Sequence, residues 1–180
     1  MAGKKRRLTE EEARRIRRDA QVAIGLNYLR EGRNDEALRT FDGVLEEAAA
    51  ESRAQMGRGL SLARLGRVDE ALAAANAILK ADPTNARAYS TRATALEYAG
   101  RLEEARADFE RALALEPDAA THRYNFACYW AKRGDAENCR EQLAEALRLD
   151  PASNVFAATD VDLARFRDEE WFQELVAFKK

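Results

Sequence analysis

PTNARAYSTRATALEYAGRLEEARADFERALALEP, running from Pro83 to Pro117, holds one full period of this chain. The next proline, Pro151, follows after another 34 residues. The same step joins Gly32, Gly66, Gly100 and Gly134, and also Leu45, Leu79, Leu113 and Leu147. It joins the small residues Gly25, Gly59, Ala93 and Ala127, and the alanines Ala37, Ala71 and Ala105. Columns that keep one register mark a repeat protein, whose units cannot bury their apolar faces alone.

Each unit reads as a helical hairpin. Apolar residues three and four apart, such as Ile24, Tyr28 and Leu29, predict a first helix, and the glycine that follows supplies the left-handed residue that ends it. Acids come next, at Asp35-Glu36, Asp69-Glu70, Glu103-Glu104 and Asp135, where the dipole of a second helix favours negative charge. That helix carries the stripe Ala37, Phe41 and Val44 in the first unit and Ala105, Phe109 and Ala112 in the third. It stops at Asp82-Pro83, Glu116-Pro117 and Asp150-Pro151, because a residue before proline avoids helical geometry.

A hairpin of this length and pattern resembles the tetratricopeptide-repeat family. The first unit matches the motif at Gln21, Ile24-Gly25, Tyr28, Ala37 and Phe41, and the third at Tyr89, Arg92-Ala93, Leu96, Ala105, Phe109 and Pro117. The second has Ala75 where phenylalanine is expected, the fourth has Cys139 in the alanine place, and the first has Ala49 in place of its proline. The resemblance implies an all-α, right-handed α-solenoid of four hairpins at 18–51, 52–85, 86–119 and 120–151. Residues 1–17 precede it as a basic arm and helical extension, and 152–180 follow as a capping segment.

Both ends carry their own signals. Thr9-Glu10-Glu11-Glu12 fits a capping box, so a helix should run unbroken from there into the first hairpin, with residues 1–8 disordered. Beyond Pro151, Ser153 and Asp168 are expected to cap short helices. Phe156, Leu163, Phe166, Trp171, Phe172, Leu175 and Val176 are expected to cover the apolar face of the last unit.

Net charge is −2, but residues 1–18 carry eight basic groups against three acids, which leaves −7 on the rest. The run Lys4-Lys5-Arg6-Arg7 lacks interleaved aromatics and reads as a solvated tail rather than a nucleic-acid reader. No apolar stretch follows it, so neither an export signal nor a membrane span is expected, and the protein should stay cytoplasmic. Cys128 and Cys139 form no metal-type pair and read as buried, reduced thiols. His122 is the only histidine, with no nucleophile motif around it, and reads as a surface or cap-adjacent residue. P-loop, dinucleotide and zinc-protease motifs are missing. No catalysis, metal or cofactor is therefore expected.

What remains is a scaffold or adaptor that binds another protein. The resemblance places a concave groove on the first helices of the units. Its candidate residues are Val22 and Leu26, then Arg53, Met56 and Leu60, then Arg87, Ser90, Thr91, Thr94 and Tyr98, then Tyr124 and Asn125. The N-terminal half is apolar and the C-terminal half polar and aromatic. The expected partner is thus a peptide or helix with an apolar anchor and an acidic group near Arg53 and Arg87. The apolar half suits the chain's own N-terminal helix equally well, and the sequence does not choose. Homo-oligomerisation also stays open, because short arrays can accept a neighbour's terminus. Tetratricopeptide domains that hold heat-shock chaperone tails use a lysine–asparagine pair, an asparagine and a lysine–arginine pair. Those places fall here on Val22 and Leu26, Gly57, and Arg87 and Thr91, so no chaperone tail is expected. The alternative function is binding to nucleic acid or an anionic surface through residues 4–18, which would weaken steeply with salt.

Overall fold

The computed structural model describes residues 8–177, and among them only helices and their connections occur. Helices α1 (Glu10–Arg30) and α2 (Asn34–Glu47) form the first hairpin, and α3 (Ser52–Arg64) and α4 (Val68–Ala81) the second. Helices α5 (Ala86–Tyr98) and α6 (Leu102–Leu115), then α7 (Ala120–Arg133) and α8 (Ala136–Leu149), form the third and fourth. Two short helices follow, α9 (Asn154–Thr159) and α10 (Glu170–Val176), with 3₁₀ turns at Pro151–Ser153 and Val161–Phe166. Successive hairpins stack, giving the all-α solenoid that the repeat implies.

The punctuation is chemical. Gly32, Gly66, Gly100 and Gly134 end the first helices with φ between 73° and 75°. Past each, a backbone N–H reaches back over the turn, as from Arg33 to the Tyr28 carbonyl at 2.8 Å. The next residue is Arg33, Arg67 or Arg101, which offers no cap of its own; each guanidinium instead bonds the glutamate three residues on, Glu36, Glu70 or Glu104. In the fourth hairpin Asp135 caps directly, accepting from the Asn138 N–H at 3.0 Å. The first unit, which lacks the proline, turns out through side chains: Glu51 caps α3, and Gln55 Nε2 donates to the Ala49 carbonyl at 2.7 Å. At the N-terminus the Thr9–Glu12 capping box is complete, and α1 runs unbroken through the extension. The expectation for residues 1–8 lies, but for Leu8, outside the described residues.

Close packing sets the spacing of the units. Phe41 is fully buried between Gly25 and Gly57: a Cβ at either glycine would fall 2.7 Å or 2.3 Å from its ring. At the equivalent place in the second unit stands Ala75, and there Thr91 Cγ2 lies against Gly59, 2.3 Å from where a Cβ would sit. Between the third and fourth units Phe109 stacks on Phe126, with ring centroids 5.2 Å apart, and Tyr129 and Trp130 complete the cluster.

Ile24 lies in α1 as predicted and is 43% exposed, because the first unit has no predecessor to pack against, whereas Phe126 in the same column lies on Phe109. Three expectations need correction. His122 is cap-adjacent, as the third residue of α7, but not at the surface: it is 1% exposed, with its Nε2 3.2 Å from Glu116. Ser153 and Asp168 do not cap helices. Asp150 and Asp160 hold the 3₁₀ turns, Ser153 donates its hydroxyl to Asp150, and α10 starts past Asp168. Leu163, Phe166 and Phe172 do close the last hairpin, packed with Leu143 and Leu147, but Phe156 turns away from that core. Both cysteines are buried and free. Burial pushes the Cys139 thiol up to about 12 and raises Cys128 as well.

Candidate interaction groove

Helices α1, α3, α5 and α7 share one face of the solenoid, and a cavity of about 390 Å³ lies against it. Leu26, Leu29, Met56 and Leu60 make its apolar wall, and Thr91, Thr94, Tyr124 and Asn125 the polar one. The far side is closed by the segment after the last hairpin, through Phe156, Asp160, Val161 and Asp162. Among the described residues, the N-terminal helix contributes wall rather than filling.

Of the predicted groove residues, Leu26, Arg53, Met56, Leu60, Thr91, Thr94, Tyr124 and Asn125 meet at this cavity. Val22 does not: it is fully buried beside Phe41. Ser90 is buried too, where its Oγ accepts from Asn125 Nδ2 at 3.2 Å and so orients that amide. Tyr98 stands outside the wall with the Lys132 ammonium 4.9 Å from its ring centroid. Arg87 lines a different cavity, of about 290 Å³, with Gly59, Ala75 and Thr91. It sits where the second unit lacks its phenylalanine. Arg53 already bonds Asp19 and Glu51, so the predicted Arg53–Arg87 fork for a partner's acid is not assembled.

Charge concentrates at the end of the groove where the first helices terminate. Arg64 donates to Asp162 Oδ2 at 3.0 Å and to the Leu29 carbonyl at 2.8 Å. Lys132 Nζ lies 3.3 Å from the same Asp162 oxygen and 3.4 Å from Glu97, which also takes Arg133 at 2.9 Å. Tyr124 donates its hydroxyl to Asp160 at 3.0 Å, and burial pushes this phenol well up. Burial opposes the Lys132 and Arg64 cations, yet the carboxylates facing them prevail and both are held above their ordinary range. Arg30, Glu97 and the closing segment were missed as groove residues in the sequence. The signal for Arg30 was there, since Arg30, Arg64, Tyr98 and Lys132 form one column of the repeat. The segment has no such signal, because it lies beyond the last period.

A tetratricopeptide-repeat family model matches residues 22–86 and a second matches 86–119, together more than half of the chain. The chain belongs to the tetratricopeptide-repeat family. Among solved structures, the thermophilic tetratricopeptide protein TTC0263 of Thermus thermophilus is similar at 19% identity, over 88% of this chain and 86% of that one, with a TM-score of 0.59. A crystal structure of MamA is similar at 19% identity, over 85% of this chain and 92% of that one, with a TM-score of 0.51. At such identities the likeness shows the fold. No curated protein sequence matches the chain. As a tetratricopeptide protein it is a protein–protein interaction module. Among the described residues no cluster of histidine, cysteine or acids could hold a metal, and no helix is long and apolar enough to cross a membrane. In the basic arm Arg14 bonds Glu10 and Arg18 pairs with Glu51, while Lys4 to Arg7 lie outside the described residues.

Proposed function

We propose that the chain is an adaptor that holds a peptide or helical segment of another protein in the groove of α1, α3, α5 and α7. One observation carries this reading: an open cavity of about 390 Å³ with an apolar wall contributed by successive hairpins. Partly buried Leu26, Met56 and Leu60 face it, and covering such a patch with a partner's apolar side chain removes it from water. The polar wall of Thr91, Thr94 and Asn125 then fixes register through hydrogen bonds.

Affinity capture from the native lysate tests it, with wild type beside a Leu26→Arg, Leu60→Arg variant and a Glu110→Arg control on the exposed side of α6. The expected result is a partner lost from the groove variant and kept by the control. An identical partner set for all three chains would move the interaction out of the groove.

A further inference from the structure

Arg30, Arg64, Tyr98 and Lys132 stand 34 residues apart at the C-terminal ends of α1, α3, α5 and α7. This basic and aromatic column is engaged by one segment of the chain. The Arg30 guanidinium lies 4.4 Å from the Phe156 ring centroid. Asp162 takes Arg64 at 3.0 Å and Lys132 at 3.3 Å, and Lys132 rests over Tyr98. Beside them Asp160 takes the Tyr124 hydroxyl.

None of these contacts closes the last hairpin, which is the work of Leu163, Phe166 and Phe172, joined from this segment by Ala157. Most of the large side chains before them stay exposed. In α9 only Asn154 and Ala157 are buried, while Val155, Phe156 and Val161 are 48%, 41% and 61% exposed. A segment that spends its carboxylates and aromatic ring on the groove, leaves Val155 and Val161 in water and lends the core only Ala157 has mostly the contacts of a ligand. We propose that Ser153–Asp162 is an internal occupant of the groove's basic rim, and that the external partner displacing it carries the same chemistry. That partner is an acidic segment with two carboxylates flanking an apolar residue and an aromatic ring a few residues before them. The proposal rests on the groove reading above and names its partner class.

Competition follows from tethering. The internal segment meets the rim at a high effective concentration, so a ligand with only the same contacts is outcompeted. A true partner gains what the internal segment leaves unused, the apolar wall of Leu26, Met56 and Leu60. Weakening the internal contacts should therefore let even the bare acidic motif bind in trans.

The test is fluorescence anisotropy of a labelled peptide, SNVFAATDVD, copied from residues 153–162, against the full chain. In an Asp160→Asn, Asp162→Asn chain the charge-assisted bonds are lost while the turn-capping oxygen at 160 remains. This chain should bind the peptide at least about tenfold more tightly than wild type, a difference of about 1.4 kcal/mol. The gain should shrink with salt, and a peptide with asparagine at both acids should bind neither chain. A Phe156→Ala chain, altered at an exposed ring outside the core, should move in the same direction and decides the matter if the double variant does not fold. Equal affinity in wild type and a folded variant would overturn the proposal. If the lysate partner is nonetheless lost with Leu26→Arg, Leu60→Arg, the groove reading stands and this inference alone falls.

Discussion

Gly57 lies so near the Phe41 ring that a methyl group there would overlap it, whereas Gly43, on the open side of α2, has nothing within 4 Å. The two glycines should respond oppositely to alanine. Gly57→Ala overpacks a filled site and should cost about 1–3 kcal/mol. Gly43→Ala relieves a helix of backbone freedom it must otherwise lose and should gain about 0.5–1 kcal/mol. Urea unfolding of both variants checks the pair. His122 gives a second prediction. Burial is the main cause that pushes its imidazole below the ordinary 6.5, with Arg87 adding to it and Glu116 opposing it. Above pH 6.5 the folded and unfolded chains both hold it neutral, and it has no effect. As pH falls below 6.5 the unfolded chain takes up a proton that the folded chain resists, so stability declines until the folded value is passed. Wild type should therefore lose more Tm than His122→Gln between pH 7.5 and 5.5, and equal losses would contradict the account. The column of small residues made Gly25 legible in the sequence. Gly57 and His122 were not, because their surroundings come from neighbouring helices that no local pattern reports.

The helices of the four hairpins were legible because the punctuation repeats: a left-handed glycine, an acidic first turn and, in all but the first unit, a proline. What the motif could not convey is how a departure in one element is absorbed by the next. Ala75 was visible as a missing phenylalanine; that Thr91 of the following unit lies over Gly59 in response was not. By the register of the repeat, a ring at 75 would lie between Gly59 and Thr91, as Phe41 lies between Gly25 and Gly57. Ala75→Phe alone should thus destabilise by about 1–3 kcal/mol, since Thr91 stands in the way. Combined with Thr91→Gly, the ring has its place, and the pair should show a favourable coupling of about 0.5–3 kcal/mol in a double-mutant cycle. Simple additivity of the two changes in urea unfolding would show that the second unit has rearranged beyond the register of the first.

At the scale of the whole molecule, a groove was expected from the resemblance, and its apolar wall was largely legible in Leu26, Met56 and Leu60. Its far wall was not, because Phe156 and Asp160-Val161-Asp162 reach it only after the chain has passed the last period and turned back. That return links the ends of the solenoid, from Arg30 in the first hairpin to Phe156 and from Arg64 in the second to Asp162. The two candidate interaction regions are also separated by a convenient accident of composition. The chain has two methionines, Met1 at the start of the basic arm and Met56 in the cavity wall. With the methyl groups of both carbon-13 labelled, the captured partner can be titrated in and the two NMR signals followed. The groove account predicts that the Met56 signal shifts or broadens in proportion to bound partner while Met1 stays in place. A shift confined to Met1, with Met56 unmoved at saturation, would contradict it and assign the interaction to the N-terminal arm.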